Sequence, residues 1–356
     1  MAKRMRLWRN KRNEKGFVGP IDKCRRLLRL GLMACFGMAD EPASCPAFKT
    51  MCGGQALIEG IMMRGPKKES VVVRRPDGGL EIKVEELKLR KDRHPILGVP
   101  VIRGIVGFVD SMVHGVQALM YSAEFYPEDE ENPEEPSKFD VWLEKTLGSE
   151  KAYSVIITLG VVMGVGFSVL LFFILPTLLV SWLAPVLPFY WLRSLLEGGV
   201  RVALFLAYLI FCSRLKDMKR VFSYHGAEHK TIFCYEAGLE LTVENVRAQP
   251  KHHPRCGTSF LFVIMVVSIL AFSFVRVDGV IARLVSRLLL LPVVVGVTYE
   301  INRYVGRHDN AVTRVMTAPG LWLQNFTTNE PDDSMIEVGI EALKLVLPEV
   351  KGEDEW

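Results

Sequence analysis

The sequence contains no C-x-x-C pair, and its seven cysteines are scattered singly along 356 residues. An odd, dispersed set does not fit the disulfide framework of a small secreted domain. It indicates reduced thiols on the cytosolic side. The sequence also lacks the P-loop and G-x-G-x-x-G patterns, so neither of these phosphate-binding loops is predicted. No internal repeat recurs at a fixed period.

Acidic residues are scarce at the beginning of the chain. Residues 1–31 contain eleven Lys and Arg against two acidic residues, so their net charge is +9 and the rest of the chain carries −5 of the total of +4. The segment lacks the cleavage site of a secretory signal and is too poor in Ser for an organelle transit peptide. We interpret residues 1–50 as a basic, flexible arm. Its expected partner is anionic lipid, and the alternative is RNA or the ribosome.

Charges are missing from long internal runs. Residues 152–192 contain none, whereas about 20 apolar residues suffice for a helix to cross the hydrocarbon core of a bilayer. We predict a membrane domain over residues 138–302 with four spans, at 153–175, 194–213, 258–275 and 284–301, and expect Pro176 to end the first. A fifth crossing or a re-entrant segment within 176–192 is the alternative.

The loops between the spans differ in basic residues. Residues 214–257, between the second and third spans, contain eight Lys and Arg, whereas the turn between the first two spans carries only Arg193 and Arg201. The positive-inside rule then places the 214–257 loop and both termini in the cytoplasm. Glu197 and Arg201 lie one helical turn apart, so we expect them to form an ion pair.

Outside the spans, the pattern predicts a small α+β region over residues 51–127. Residues 71–74 and 80–84 flank a Pro-Asp-Gly-Gly turn, which is typical of a β-hairpin. Residues 96–120 are apolar but interrupted by glycines and charges, which favours an amphipathic helix in the membrane interface or a re-entrant segment. An acidic linker follows at 128–137. The predicted fold class is an α-helical polytopic membrane protein with a small cytosolic α+β N-terminal region that contains a β-hairpin.

The cytosolic C-terminal segment, residues 303–356, contains one clear helical pattern, at 334–347. Ser334 and Glu337 match a capping box at its beginning. Apolar residues recur at helical spacing and form one face. We expect that face to dock on the layer formed by the hairpin.

The string HGAEH, residues 225–229, is the sharpest chemical motif. A helix is predicted over 224–237, ended by Gly238, and it places His225, Glu228 and His229 on one face. Two imidazoles one turn apart can bind the same metal, and a neighbouring carboxylate can serve as general base. The string also matches the H-x-x-E-H pattern of one class of metalloproteases.

A second group of ligand types lies in the same cytosolic loop. KHHPRCG supplies His252, His253 and Cys256, any of which could add a third ligand to a Zn²⁺ site with an open position. Glu300, at the cytosolic end of the fourth span, is a further candidate as a ligand or as a residue that orients one. The alternative is that these are polar residues at a lipid interface and bind no metal.

The apolar run GGQALIEGIMMRGP, residues 53–66, contains two charged side chains. A charge within such a run is costly unless it is paired. We therefore expect Glu59 and Arg64 to pair with each other or to face a site. The alternative is a buried strand edge with a structural salt bridge.

Four strings together carry a resemblance to a known family. GGQALIEGIMMRGP, YHGAEHKTIFCYE, HPRCGTSF and PGLWLQNFTTNEPDDSMIEVGIEAL resemble the YqhQ family of bacterial membrane proteins, from about residue 52 to about residue 347. The resemblance implies an integral, multi-pass protein of the bacterial cytoplasmic membrane. The family is a domain of unknown function labelled as a predicted metal-dependent enzyme. Its motif positions here are Glu59, Arg64, His225, Glu228, His229, His253, Arg255 and Cys256.

Two functional hypotheses follow. The first is a metal-dependent hydrolase whose site faces the cytosol, with His225 and His229 as ligands, His253 or Cys256 as the third ligand and Glu228 as base. Its substrate would be lipid-linked or a membrane protein, because the site opens at the bilayer. The second is a non-enzymatic membrane factor that assists membrane-protein or envelope assembly. A transporter ranks third, since no pair of internal repeats is visible.

Overall fold

The computed structural model describes residues 48–87, 95–126, 149–183, 189–275, 277, 279–308, 310–350 and 352–354. Residues 1–47 of the predicted basic arm and the whole acidic linker at 128–137 lie outside these residues.

A four-stranded antiparallel sheet precedes the apolar helices. Its strands are β1 (Gly53–Leu57), β2 (Gly60–Arg64), β3 (Lys68–Arg74) and β4 (Leu80–Glu86), in the order β1-β2-β3-β4. The predicted hairpin is confirmed as β3 and β4, which pair from Arg74 opposite Leu80 to Lys68 opposite Glu86. The other two strands come from the apolar run at 53–66. They are joined by a two-residue turn in which Glu59 has a φ of 49°, a left-handed conformation that is uncommon for a residue other than glycine.

Ten α-helices lie in the described part of the chain. They are α1 (Ile102–Ala123), α2 (Ser149–Val169), α3 (Leu175–Trp182), α4 (Tyr190–Cys212), α5 (Lys216–Glu236), α6 (Val243–Arg247), α7 (Gly257–Phe274), α8 (Val280–Arg307), α9 (Ala311–Thr327) and α10 (Asp333–Val346). A π-helical turn at Leu170–Ile174 connects α2 and α3, so these two form one continuous helix. A 3₁₀ turn at Pro95–Gly98 precedes α1.

Four of these helical stretches are long and apolar enough to cross a membrane, as the sequence predicts. They are Thr158–Trp182, Trp191–Cys212, Gly257–Phe274 and Ile281–Arg307. Much of their apolar surface is exposed in the isolated chain, for example at Val162 and Leu289. Such surface is compatible with contact to lipid rather than water.

The first of these four apolar helices does not end at Pro176, so that expectation is wrong. A proline has no N–H, and in a regular helix it leaves the carbonyl four residues earlier, here on Phe172, without its donor. The Nε–H of Arg201 donates to this oxygen over 2.8 Å. The preceding π-helical turn widens the helix at the same place. The helix therefore continues to Trp182.

Glu197 pairs with more than its predicted partner. Its carboxylate lies 3.6 Å from Arg201, as expected, but it also accepts two hydrogen bonds from Arg287 and one from the hydroxyl of Thr177. All four side chains are buried. The cluster therefore links α3, α4 and α8 through a charge network inside the bundle.

Three distant segments share one core next to the sheet. One face of the sheet packs against α5 and α10, and this core includes Ile61, Met63, Val72, Tyr224, Ala227, Val338 and Leu343. The other face packs against α1, with contacts among Leu57, Val71, Val73 and Ala118. The sheet, the loop between the second and third spans and the C-terminal helix therefore lie together at one end of the apolar helices.

The C-terminal helix α10 docks on the sheet, but it begins differently from the expectation. Its N-cap is Asp332, whose carboxylate accepts from the N–H of Met335 (3.0 Å). Ser334 lies inside the first turn and donates to Asp332. The predicted capping box at Ser334 is therefore wrong, because an aspartate two residues earlier accepts the free N–H group.

Candidate metal centre

Helix α5 carries the HGAEH motif and positions the centre. It begins at Lys216, earlier than the predicted 224–237, and its last helical residue is Glu236. Gly238 follows with a φ of 70°, a conformation that favours glycine and ends a helix. The motif therefore lies in the middle of a regular helix.

His225, His229 and Cys256 meet where α5 approaches the beginning of α7. The Nε2 atom of His225 lies 3.1 Å from Sγ of Cys256, and the two imidazole rings are 4.3 Å apart. One potential ligand atom from each of the three residues lies within 4.8 Å of the others. Two nitrogens and one sulfur at this spacing form a donor set suited to Zn²⁺.

Both imidazoles are held by backbone carbonyls. Nδ1 of His225 lies 2.7 Å from the carbonyl oxygen of Thr327, and Nδ1 of His229 lies 2.5 Å from that of Lys251. Because a carbonyl oxygen can only accept, each Nδ1 carries the proton in this arrangement. Nε2 of each ring is then the nitrogen that remains for a ligand. Histidine ligands of metals are commonly fixed in this way through their second nitrogen.

The buried Nε2 of His229 has no hydrogen-bond partner. Burial lowers the pKa of His229 to about 4, so the ring is neutral at pH 7. An orphaned acceptor in a buried site is costly unless another group occupies it. The residues present therefore fit a bound cation at this point.

Cys256 is the N-cap of α7. Its Sγ accepts from the N–H of Thr258 at 3.5 Å and from the hydroxyl of the same residue at 3.4 Å. Burial by itself raises the pKa of the thiol, but His229 and Thr258 lower it by more, so the net shift is downward. The helix N-terminus also favours a thiolate, which is the form that binds metal.

Glu228 lies between this group and the sheet. Its Oε1 accepts from the backbone N–H of Gly54 (3.1 Å), and its Oε2 is buried without a hydrogen-bond partner. Burial raises the pKa of Glu228 to about 7, while His225 and the bond from Gly54 lower it less strongly. A carboxyl group with such a pKa can exchange a proton near neutral pH.

His253 lies next to the three-residue group but is engaged elsewhere. Its ring is 5.6 Å from that of His229, and its Nε2 lies 3.6 Å from Glu236. Glu236 also accepts from Arg255 and from the N–H of Thr50 (2.7 Å). His252 precedes His253 in the loop and is not part of the three-residue group. Of the three proposed third ligands, the structure brings Cys256 to the two histidines.

Glu59 and Arg64 do not pair with each other, so that part of the expectation is wrong, and each forms an ion pair with another residue. Glu59 binds Arg220 and accepts from the hydroxyl of Tyr224 (3.1 Å). Arg64 contacts Asp110 at 2.6 Å. Glu59 lies in the hairpin turn and Arg64 at the other end of β2, so Glu59 contacts α5 and Arg64 contacts α1.

Glu300 is likewise bound away from the centre. Its carboxylate forms a two-pronged pair with Arg103 and accepts from the N–H of Val101 (3.3 Å). This contact fastens α1 to α8. The structure therefore does not bring Glu300 into the group formed by His225, His229 and Cys256.

Comparison with known proteins places the chain in a family. Residues 99–349 match the family described as "Protein of unknown function (DUF1385)". The chain belongs to this family. It is also 34% identical over 302 residues to "Uncharacterized protein YqhQ" of Bacillus subtilis (strain 168), an alignment that covers 83% of this chain and 92% of that protein. No solved structure matches significantly. The resemblance to the YqhQ family is thereby confirmed.

The part that matches the family model includes residues of the centre that the motifs did not reveal. The side chain of Gln324 on α9 donates to the carbonyl of His253 (2.8 Å) and accepts from its N–H (2.7 Å). Together with the carbonyl of Thr327, it fixes the loop and the histidines against α9. The sequence feature that could have pointed to Gln324 is a polar residue within the apolar run LWLQNF. The role of the Thr327 carbonyl could not be found in this way, because every residue has a backbone carbonyl. Gly54, which holds Glu228, precedes the family match.

Proposed function

We propose that this protein is a multi-pass protein of the bacterial cytoplasmic membrane that binds Zn²⁺ at its cytoplasmic face and hydrolyses a membrane-associated substrate. His225, His229 and Cys256 would be the ligands, and Glu228 the general base. A three-residue donor set leaves a fourth position for water or substrate.

The observation that carries this proposal is the fixation of both imidazoles. Thr327 and Lys251 each accept from an Nδ1–H, which leaves both Nε2 atoms for a ligand beside the sulfur of Cys256. Anchors of this kind at the second nitrogen commonly orient histidines that bind a metal. The buried Nε2 of His229 in particular has no other partner.

Each residue would have a distinct role in hydrolysis. Zn²⁺ bound there would supply Lewis acidity to water and to the group under attack. Glu228 would accept a proton from the attacking water and deliver it to the leaving group. The pKa of about 7 suits it to both steps. Its bond to Gly54 leaves Oε2 free for this exchange.

The arrangement of the fold supports a site beside the bilayer. The sheet, α5 and α10 share a core at one end of the four apolar helices. Cys256 is the residue immediately before the third of these helices. If those helices cross a membrane, the centre lies at its surface, within reach of a lipid-linked molecule or a membrane protein. The basic residues at 214–257 favour the cytoplasmic side.

Zinc content tests the proposal. In detergent-purified full-length protein we expect about one zinc per chain, measured by mass spectrometry of the metal. His225→Ala, His229→Ala and Cys256→Ser should each lose most of it. His308→Ala and Cys212→Ser serve as matched controls, because His308 is exposed and stacks on Tyr304, and Cys212 ends α4. Wild-type protein without metal, or ligand variants with a full complement, would overturn the proposal.

A further inference from the structure

Strand β1 forms one edge of the sheet. It pairs with β2 on one side, and no strand among the described residues pairs with its other side. Gly54, in this strand, is exposed. An open edge presents backbone N–H and C=O groups that another extended chain can bind.

The bond from Gly54 to Glu228 shows which groups point outward. The N–H of Gly54 donates to Glu228 and not to Met63, the residue opposite it. Gly54 and Met63 therefore form a non-hydrogen-bonded pair. Because such pairs alternate along an antiparallel ladder, Ala56 opposite Ile61 is another. The N–H and C=O of Ala56 and the C=O of Gly54 thus face away from β2.

This outward edge runs alongside α5 toward the candidate metal centre. Arg220 binds Glu59, Glu228 binds Gly54, and Glu236 binds Thr50. The helix and the strand therefore run antiparallel, with the general base opposite the middle of the edge. Glu228 lies on α5 between His225 and His229, so the edge lies beside the part of the helix that carries two of the proposed ligands.

We propose that the substrate is an extended polypeptide segment that adds to β1 as a further strand. This inference rests on the proposed function and names its substrate class. In antiparallel addition, the residue opposite Gly54 turns its carbonyl toward the N–H of Gly54 and takes the place of Glu228 there. The ladder thus presents one peptide carbonyl to the base. A lipid head group has no alternating N–H and C=O groups to match Ala56 and Gly54.

The reaction is then hydrolysis of a peptide bond. The oxygen of one water bonds to the carbonyl carbon, and the C–N bond breaks. Glu228 takes one proton from that water and passes it to the leaving nitrogen, and the new carboxylic acid releases its remaining proton to solvent. No oxidant or reductant is required.

Ala56→Pro tests whether an added strand pairs with β1, because proline removes the outward N–H of residue 56. The hydrogen bonds between β1 and β2 remain, because the N–H of Ala56 takes no part in them. The matched control is Ile82→Pro on the opposite edge of the same sheet. The N–H of Arg75 donates to Gly79 and that of Leu87 donates to Lys67, so both pairs are hydrogen-bonded pairs at the ends of the β3–β4 ladder. Because hydrogen-bonded and non-hydrogen-bonded pairs alternate between them, Ile82 belongs to a non-hydrogen-bonded pair and its N–H also faces outward.

The probe is fluorescein-labelled β-casein, an unfolded polypeptide, bound to zinc-loaded protein in detergent. The Glu228→Gln background prevents turnover, and binding is measured by fluorescence anisotropy. We expect Ala56→Pro to weaken binding about tenfold, as for one lost hydrogen bond and a steric block. Ile82→Pro should bind as the parent does, and zinc content should be equal in all three proteins.

Hydrogen–deuterium exchange of the Glu228→Gln protein gives a second measurement that needs no proline. Casein should protect the amides of residues 54–58 and leave those of 80–86 unchanged. Protection of neither edge, or equal binding by the two proline variants, would overturn the inference. If either result is found and the wild type binds zinc normally, the polypeptide substrate is excluded and a lipid-linked substrate is favoured. If zinc is absent from the wild type, the proposed function itself fails.

Discussion

Nε2 of His225 lies 3.1 Å from Sγ of Cys256, although 31 positions separate the two residues in the chain. The contact joins the middle of α5 to the first residue before α7, the third apolar helix. Any ion held between them would tie the sheet-bearing part of the molecule to the bundle of apolar helices.

Glu228→Gln separates catalysis from metal binding. The substitution keeps the shape and the hydrogen bond from Gly54 but removes the base. We expect zinc content to remain and hydrolysis to be lost. If Glu228 instead orients a ligand, zinc affinity should fall by about 10–100-fold, as measured by competition with a chelating dye.

The control for this experiment is Glu330→Gln, whose carboxylate is 63% exposed beside Lys230. If Glu228→Gln and both histidine variants fold, insert and restore a deletion strain as fully as the wild type, the enzymatic proposal is wrong. The non-enzymatic assembly factor would then be favoured. If the histidine variants unfold while Glu228→Gln behaves as the wild type does, the zinc has a structural role.

Gly226→Ala should disrupt the contact between α5 and the segment after α9. A Cβ at this position would lie 2.0 Å from the carbonyl oxygen of Asn329, so the backbone must move. We expect a loss of about 1–3 kcal/mol in stability and weaker zinc binding, because the carbonyl of nearby Thr327 holds His225. Thermal unfolding and zinc titration measure both effects. Gly199→Ala, with no atom within 4 Å, should be neutral.

Glu197→Gln should destabilise the bundle more than Arg287→Gln. Loss of the carboxylate leaves two buried guanidinium groups, on Arg201 and Arg287, without a counter-charge, at a cost of about 3–5 kcal/mol. Loss of Arg287 leaves Glu197 its contact with Arg201 at 3.6 Å. Unfolding in mixed micelles measures the loss of stability in each variant. A larger loss for Arg287→Gln than for Glu197→Gln would contradict this prediction. Asp333→Asn, in an exposed pair with Arg247, should change stability little, because water and salt screen the pair.

Glu236 should make stability depend on pH in the acidic range. Burial alone would raise its pKa, but His253 and Arg255 lower it below the ordinary 4.5. A depressed carboxyl pKa stabilises the fold above the unfolded value, and that contribution is lost as the pH falls through the folded value. The melting temperature of Glu236→Gln should therefore differ most from the wild type above pH 4.5 and converge with it below.

The exposed carboxylate of Glu337 provides the comparison for this pH series. Its side chain is 55% exposed beside Arg74, so Glu337→Gln should change the melting temperature less at every pH. A gap between wild type and Glu236→Gln that widens toward low pH would contradict the assigned direction.

Reporter fusions test the four-span topology. A reporter active only in the cytoplasm should work when fused after Lys251 and after Trp356, and fail within the turn at 185–190. The reason is that the sheet, α5 and α10 share one core and so lie on one side. Cytoplasmic activity at 185–190 would exclude four crossings and favour a re-entrant segment.

Features that depend on neighbouring residues were readable from the sequence. The four apolar helices follow from uncharged length, because hydrocarbon thickness sets the number of residues that a span needs. The end of α5 follows from Gly238, which adopts a φ of 70° at little cost. The hairpin of β3 and β4 follows from its turn residues. The motif at 225–229 also located the helix face on which two histidines meet.

Local rules failed where a distant group changed the balance. Pro176 was expected to end a helix, and it does not because Arg201 supplies the missing donor from another helix. Glu300 was expected near the histidines, and it lies at Arg103 because α1 packs across α8. Neither partner is detectable from spacing along the chain.

The sequence by itself determined the apolar spans, the helix that carries His225 and His229 and the set of candidate ligands, since each depends on periodicity, composition and short-range conformation. Only the tertiary structure decided that Cys256, and not His253, approaches His225, and that Glu228 is held by the edge strand. Those contacts depend on how a loop and three helices pack. Packing is set by the summed shape and burial of many residues far apart in the chain, which no single motif encodes.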